Sequence, residues 1–257
     1  MVDVRKKVEE ITPEITQMRV HIHENPELSM KEYNTCALLE DYVKKNVKYD
    51  RLKRVGETGL FFELKGTKPG NGPTIVFRGD IDALPIQEDE HMSPRSKVPG
   101  VMHACGHDVH GTINVGAAKI LSEMKDQFSG SIYFFIQPAE EILQGAKLFL
   151  NDPEIDFDKI DAVAALHVSA ELDAGTIGVR YGAILASADG IRIRINGKGG
   201  HGAHCHTLRD PIVASAAVIN ALQTLVSRET NSANAVVISI CTIHAGEANN
   251  CLLYTSP

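Results

Sequence analysis

The sequence predicts an α/β fold in which a partly parallel sheet is flanked by helices. Three observations predict it. Short apolar segments at 74–78, 131–136 and 161–166 alternate with segments of helical period, the order of an α/β chain. Between the first two, Ile113, Ala117, Ile120, Leu121 and Met124 fall on one helical face. Each apolar segment also runs out into residues that bind metal or move protons: Gly79-Asp80-Ile81-Asp82, Gln137-Pro138-Ala139-Glu140-Glu141, and His167. Open α/β sheets bind ligands beyond the carboxyl ends of their strands. These spots can converge, and they point first to a metal-dependent hydrolase.

In chain order, residues 7–18 and 31–47 read as helices, broken by Asn25-Pro26-Glu27. Residues 60–65 read as a strand followed by a Gly/Pro turn, and 74–78 as a short β-branched strand. A long helix is expected over 108–124, a strand over 131–136, a helix from Glu140 to about Leu150, and a strand over 161–166. The strands are apolar enough to be mostly buried. Near Ala186 the pattern changes. Residues 190–196 alternate strictly, as a sheet with one wet face does. Asp210-Pro211 supplies an N-cap and a first-turn proline for a helix to about Arg228, and 235–243 reads as a second strand. This β-α-β order resembles half of a ferredoxin-like sandwich.

The 257 residues carry a net charge of −7, which argues against a nucleic-acid surface and favours small or neutral partners. Met1-Val2-Asp3-Val4-Arg5-Lys6-Lys7 leads into a charged helix pattern and is not read as a signal peptide. The longest apolar stretch, 235–243, is too short to span a bilayer, so no membrane partner is expected. Cysteines at 36, 105, 205, 241 and 251 are odd in number and scattered, which points to a reducing, cytoplasmic setting.

Cys105 and His107 flank Gly106. Thiolate and imidazole both suit a borderline-soft divalent ion, and glycine lets the chain bend so that they face one point. A helix N-terminus would also lower the thiol's pKa. A buried cysteine beside an incidental histidine is the plain alternative, and a Cys–His nucleophile pair is another. Glu140 and Glu141 follow an apolar strand. One can ligate while the other handles a proton, or both can be acids at a solvated helix start. His167 taken alone reads as a satisfied structural histidine. Asp82 reads either as a carboxylate orienting a metal-bound histidine or as an Asx-turn.

Five motifs occur in a set order: His23-Glu24-Asn25-Pro26-Glu27-Leu28-Ser29, Gly79-Asp80-Ile81-Asp82-Ala83-Leu84-Pro85, Met102-His103-Ala104-Cys105-Gly106-His107-Asp108, Gln137-Pro138-Ala139-Glu140-Glu141, and Gly197-Lys198-Gly199-Gly200-His201-Gly202-Ala203. With them the chain resembles the M20 metallopeptidases, in particular the aminoacylase and hippurate hydrolase branch, over residues from about 15 to 250. The resemblance implies a zinc-peptidase-like catalytic domain and an inserted α+β lid that dimerises. Cofactors would be two divalent ions, zinc or manganese with cobalt or nickel as further options. The implied reaction cleaves the amide of an N-acyl amino acid. Cys105, His107, Glu141 and His167 match the metal ligands, Glu140 the general base, and Asp82 the acid that supports the site. His201 matches the lid histidine that stabilises the oxyanion, and Asn250 a lid residue near substrate.

The expected division is a catalytic part over 1–185, half a lid over 186–250, and a tail at 251–257 that departs from the family pattern. From this the chain is expected to be C-terminally truncated, with a non-native tail and weak activity. A degenerate metal- or peptide-binding module without turnover is the alternative. A thiol hydrolase built on Cys105 is a third reading, but it gives Glu141 and His167 no role.

Overall fold

Alternation along two neighbouring strands sets the core. In β2 (Gly59–Lys65), Leu60, Phe62 and Leu64 point to one face while Phe61 points to the other. In β4 (Ser131–Gln137), Ile132, Phe134 and Ile136 share the first face, and Tyr133 and Phe135 the second. The computed structural model of the chain describes residues 3–184, 187, 189–246 and 251–252. Its contacts divide into two compact units, Met1–Ala174 and Gly175–Pro257. The division expected at 185/186 falls on residues outside the described ones.

The first unit is a five-stranded mixed sheet in the order β1-β2-β4-β3-β5, with β1 (Arg51–Val55), β3 (Thr74–Asp80) and β5 (Ala162–Ala165) completing it. β1, β2 and β4 pair antiparallel, whereas β3 runs parallel to both β4 and β5. Three helices, α1 (Val4–Glu24), α2 (Tyr33–Asn46) and α3 (His107–Ser122), supply apolar side chains to the Phe62/Phe134 face. α4 (Gly145–Leu150) and the segment after it cover the Phe61/Phe135 face through Phe149 and Ile155.

Several expectations need correction. β1 was not anticipated, because Arg51-Leu52-Lys53-Arg54-Val55 is too basic to read as a strand. It is an edge strand, where lysine and arginine discourage further pairing. The helix expected from Glu140 starts only at Gly145. Ala139 and Leu143 take positive φ (51° and 57°) and turn residues 140–143 out of helical geometry. β5 is exposed along its length rather than buried.

In the second unit, α5 (Pro211–Thr224) begins where the sequence places it. Asp210 accepts from the N–H of Ile212 (2.8 Å) and Val213 (3.2 Å), with proline in the first turn. Strands expected at 190–196 and 235–243 are absent among the described residues. Alternation marks two faces, but a strand also needs a hydrogen-bonded neighbour. The one ladder described in this unit joins β6 (Gly200–His201) to β7 (Cys251–Leu252). No helix among the described residues is long and apolar enough to cross a membrane.

α1 is pinned to the start of α3 by a buried polar cluster. His23 Nδ1 meets Asp108 Oδ2 at 2.9 Å and its Nε2 meets Glu88 Oε1 at 3.0 Å. Arg19 donates to the same Asp108 oxygen at 3.3 Å, and the His103 ring lies 6.4 Å from that of His23. The Asp108 hydrogen bond raises the His23 pKa; burial opposes it, and the charges of Asp108 and Glu88 add to the rise. Burial, the largest single influence, pushes the Asp108 carboxyl up, but the His23 bond and the charges of His103, His23 and Arg19 together carry it lower overall.

Two predictions follow from this packing. Phe134 stacks on Phe62 at 4.7 Å and lies 5.7 Å from Phe77. Phe134→Ala is therefore expected to cost about 3–5 kcal/mol in urea unfolding, as core aromatic truncations do; a loss under about 1 kcal/mol, the size of an ordinary surface change, would contradict this packing. For His23, the folded-state pKa lies above the unfolded one. Its stabilisation is complete below the ordinary histidine value and is lost as pH rises through the folded value. His23→Gln should therefore be most destabilised relative to the parent near about pH 6 and less so near about pH 9. A deficit independent of pH in paired urea titrations would count against the charged-histidine cluster.

Candidate metal centre

The strand ends and the start of α3 converge as the topology requires. β3 delivers Asp80 and, two residues on, Asp82; β4 delivers the turn carrying Glu140 and Glu141; β5 delivers His167. α3 starts at His107, directly after Gly106, whose φ of +84° only glycine adopts cheaply. That left-handed residue lets Cys105 and His107 face the same region.

Ligand atoms of Cys105, His107 and His167 lie within 4.8 Å of one another, as do those of His107, Glu140 and Glu141, and of Asp80, His107 and His110. Cys105 Sγ is 3.2 Å from His167 Nε2. His107 Nε2 stands 3.8 Å from Glu141 Oε1 and 4.0 Å from Glu140 Oε2, too far for hydrogen bonds. Asp82 lies behind. Its Oδ1 takes the Nδ1 side of His107 at 3.1 Å; its Oδ2 accepts from Ser29 Oγ at 2.6 Å and from the Glu141 N–H at 3.0 Å. A carboxylate on Nδ1 fixes the proton there and turns the Nε2 lone pair toward the acids.

The Glu140–Glu141 turn is held under strain. Ala139, at φ 51°, gives its N–H to Glu32 Oε1 at 2.8 Å, and the same oxygen accepts from the Met30 N–H at 3.0 Å. Glu32 is fully buried, and burial raises its pKa against these bonds. The two glutamates are thus presented by a buttressed turn, and the helix-start reading of them falls.

Charge is crowded here. Burial is the largest influence on Glu141 and raises its pKa; His107 opposes this, while Glu140 and Asp82 add to it. Burial pushes the Cys105 thiol up to about 12, with Glu141 and Glu140 adding to the shift. This corrects the expectation of a thiol acidified by the helix start. Burial pushes the Asp82 carboxyl up, but the His107 and Ser29 hydrogen bonds carry it lower overall.

The donor set fits divalent cations. His107 Nε2 and Glu141 Oε1 are buried and have no hydrogen-bond partner among the described residues. Buried polar atoms are costly when unpaired. Donors about 2.0–2.3 Å from a four-coordinate ion sit roughly 3.3–3.8 Å apart, close to the 3.2, 3.8 and 4.0 Å separations here. An ion would also relieve the repulsion between the two glutamates.

Of the residues singled out from sequence, Cys105, His107, Glu140, Glu141, His167 and Asp82 come together. His201 belongs to the second unit, where it is exposed and its Nδ1 accepts from the Ala203 N–H at 3.1 Å. Asn250 lies outside the described residues. Sequence reasoning missed His110 and Glu32. His110 follows His107 by three residues on α3, the spacing that puts both on one helix face. Glu32 carried no local signal, since its partner Ala139 N–H is remote in the chain.

The family model for peptidase family M20/M25/M40 matches residues 76–248. The chain is 40% identical over 250 residues to thermostable carboxypeptidase 2 of Saccharolobus solfataricus, covering 96% of this chain and 62% of that protein. It is 37% identical over 250 residues to an N-acyl-L-amino acid amidohydrolase of Geobacillus stearothermophilus, covering 97% and 66%. The YXEP protein of Bacillus subtilis, a dinuclear metal binding peptidase from the M20 family, superposes with a TM-score of 0.70 at 33% identity, covering 96% of this chain and 63% of that one. The chain thus spans about 62% of the length of the first curated relatives it matches. Fold, motif order and matched model agree, and the chain belongs to the M20/M25/M40 peptidase family.

Proposed function

We propose that this chain carries the catalytic site of a metal-dependent amidohydrolase that cleaves the amide bond of N-acyl amino acids. The observation that carries the reading is the buried pair of His107 Nε2 and Glu141 Oε1, without hydrogen-bond partners among the described residues, beside Cys105, His167 and Glu140. Cys105, His107, Glu141 and His167 would hold two divalent ions, zinc or manganese with cobalt or nickel also suited to these donors. Such ions supply a water of lowered pKa and polarise the scissile carbonyl.

The chain's own residues do the rest. Asp82 keeps the proton of the neutral His107 ring on Nδ1, which leaves the Nε2 lone pair for an ion. Glu140 is half-buried and takes the proton of the attacking water. It then returns that proton to the leaving amine. His201 is assigned to donate where negative charge develops on the carbonyl oxygen, and Asn250 to contact substrate. Amidohydrolase and deacetylase relatives support the substrate class.

The same reading divides the chain into a catalytic part and a lid part that dimerises, and places it in the cytoplasm without nucleic-acid or membrane partners. Cys36, Cys105, Cys205 and Cys241 are free, which suits a reducing compartment.

The test is metal content together with hydrolysis of a panel of N-acetyl amino acids, on the parent and on Glu140→Gln. Chelation should remove metal and turnover together. Glu140→Gln should keep its metal and lose about 10²–10⁴-fold in rate, the range for a general base. Metal bound with no hydrolysis across the panel would favour a binding module, and turnover that survives full chelation would sink the metal mechanism.

A further inference from the structure

His167 is the exposed member of the proposed ligand set. It follows a four-residue edge strand, yet its Nε2 stands 3.2 Å from Cys105 Sγ. A side chain on such a loop loses that position to rotamer freedom unless something fixes it. Three contacts meet at the next residue, Val168. The Val168 carbonyl accepts from His167 Nδ1 at 2.6 Å, which turns the His167 Nε2 lone pair to the cluster. The Val168 N–H donates to His110 Nε2 at 3.0 Å. The Val168 side chain fills the space beside Gly106, where any Cβ would collide with its Cγ2.

His110 is itself locked. Its Nδ1 meets Asp80 Oδ1 at 2.6 Å, and the other Asp80 oxygen pairs with Arg78 Nη1 at 2.6 Å. Arg78 in turn donates from Nε to Gln137 Oε1 at 2.9 Å. The carboxylate accepts, so the His110 proton sits on Nδ1 and its Nε2 is free to take the Val168 N–H. Both ring nitrogens are then engaged, which removes His110 from the ligand candidates although it lies beside them. Its ring meets that of His167 edge-on at 4.6 Å.

We propose that His110 is a positioning residue: through the Val168 N–H it ties the His167 loop to the rigid end of β3 and holds His167 where it ligates. This rests on the metal-centre reading above and adds to it a residue that touches neither metal nor substrate.

Asparagine and glutamine separate this from a general packing role. A glutamine amide reaches the Nε2 position and can accept from Val168, whereas an asparagine amide reaches only the Nδ1 position and serves Asp80. Asp80 keeps Arg78 in either variant. Cobalt(II) would be titrated into the 257-residue chain, His110→Gln and His110→Asn, following the thiolate-to-cobalt absorption that reports Cys105, with thermal melts alongside. His110→Gln should bind like the parent, and His110→Asn should bind about 10–100-fold more weakly, the usual cost of losing an outer partner of a ligand. Equal affinities in the two variants, or losses that simply track their melting temperatures, would overturn the positioning role. A parent that takes up no cobalt would overturn the metal reading itself, which is a different result from a parent that binds and variants that match it.

Discussion

The Asp82 carboxylate is the constraint on which the site depends. It is almost fully buried, and desolvation pushes its pKa up. Ser29 from the loop before α2, His107 from the first turn of α3, and the Glu141 backbone from the turn after β4 all bond to it. Three segments far apart in sequence are thereby fixed to one pair of oxygen atoms. Removing that carboxylate would free the His107 tautomer and the Glu141 turn together, so its effect cannot be confined to one ligand. Buried carboxylates persist only where such bonds compensate them.

Around this anchor, strain and packing determine what each side chain can do. Ala139 holds a left-handed conformation that costs about 1–2 kcal/mol, and the buried Glu32 carboxyl is the group that binds its N–H. Gly106 is also left-handed and so tightly covered by Val168 that no side chain fits. The two turns that carry the ligand residues are therefore held from behind, by groups that do not themselves point into the site. Preorganisation of this kind is what a site needs if its charges are to act without rearrangement.

Much of this was legible in sequence where a residue's local pattern and its tertiary role coincide. The core strands read correctly because apolar β-branched and aromatic runs are buried on both faces, and the α5 start read correctly because Asp210 and Pro211 act within one turn. The failures share a cause. β1 is a strand only because β2 pairs with it. The segment after Glu140 has helical composition but is overridden by the positive φ of Ala139 and Leu143, and the Ala139 N–H is held by the remote Glu32. Residues 190–196 alternate and 235–243 are apolar as strands are, yet pairing decides the matter and the local pattern does not. His110 escaped notice because its importance lies in Val168 and Asp80, and neither is marked by spacing in the chain.

Cys105 shows how environment decides between chemistries that the sequence leaves open. A nucleophilic cysteine needs a thiolate near neutral pH, made by a cationic partner or a helix N-terminus. Cys105 sits just ahead of such a terminus, but burial and the two glutamates push its thiol up to about 12. The acids that defeat a thiolate nucleophile are the ones that attract a divalent cation. A cation between them would reverse the sign of the local field and stabilise the thiolate as a ligand. One arrangement of Cys105, Glu140 and Glu141 thus disfavours the thiol hydrolase and favours the metal centre. The same physical fact decides both: Glu140 and Glu141 concentrate negative charge in a partly buried space beside Cys105.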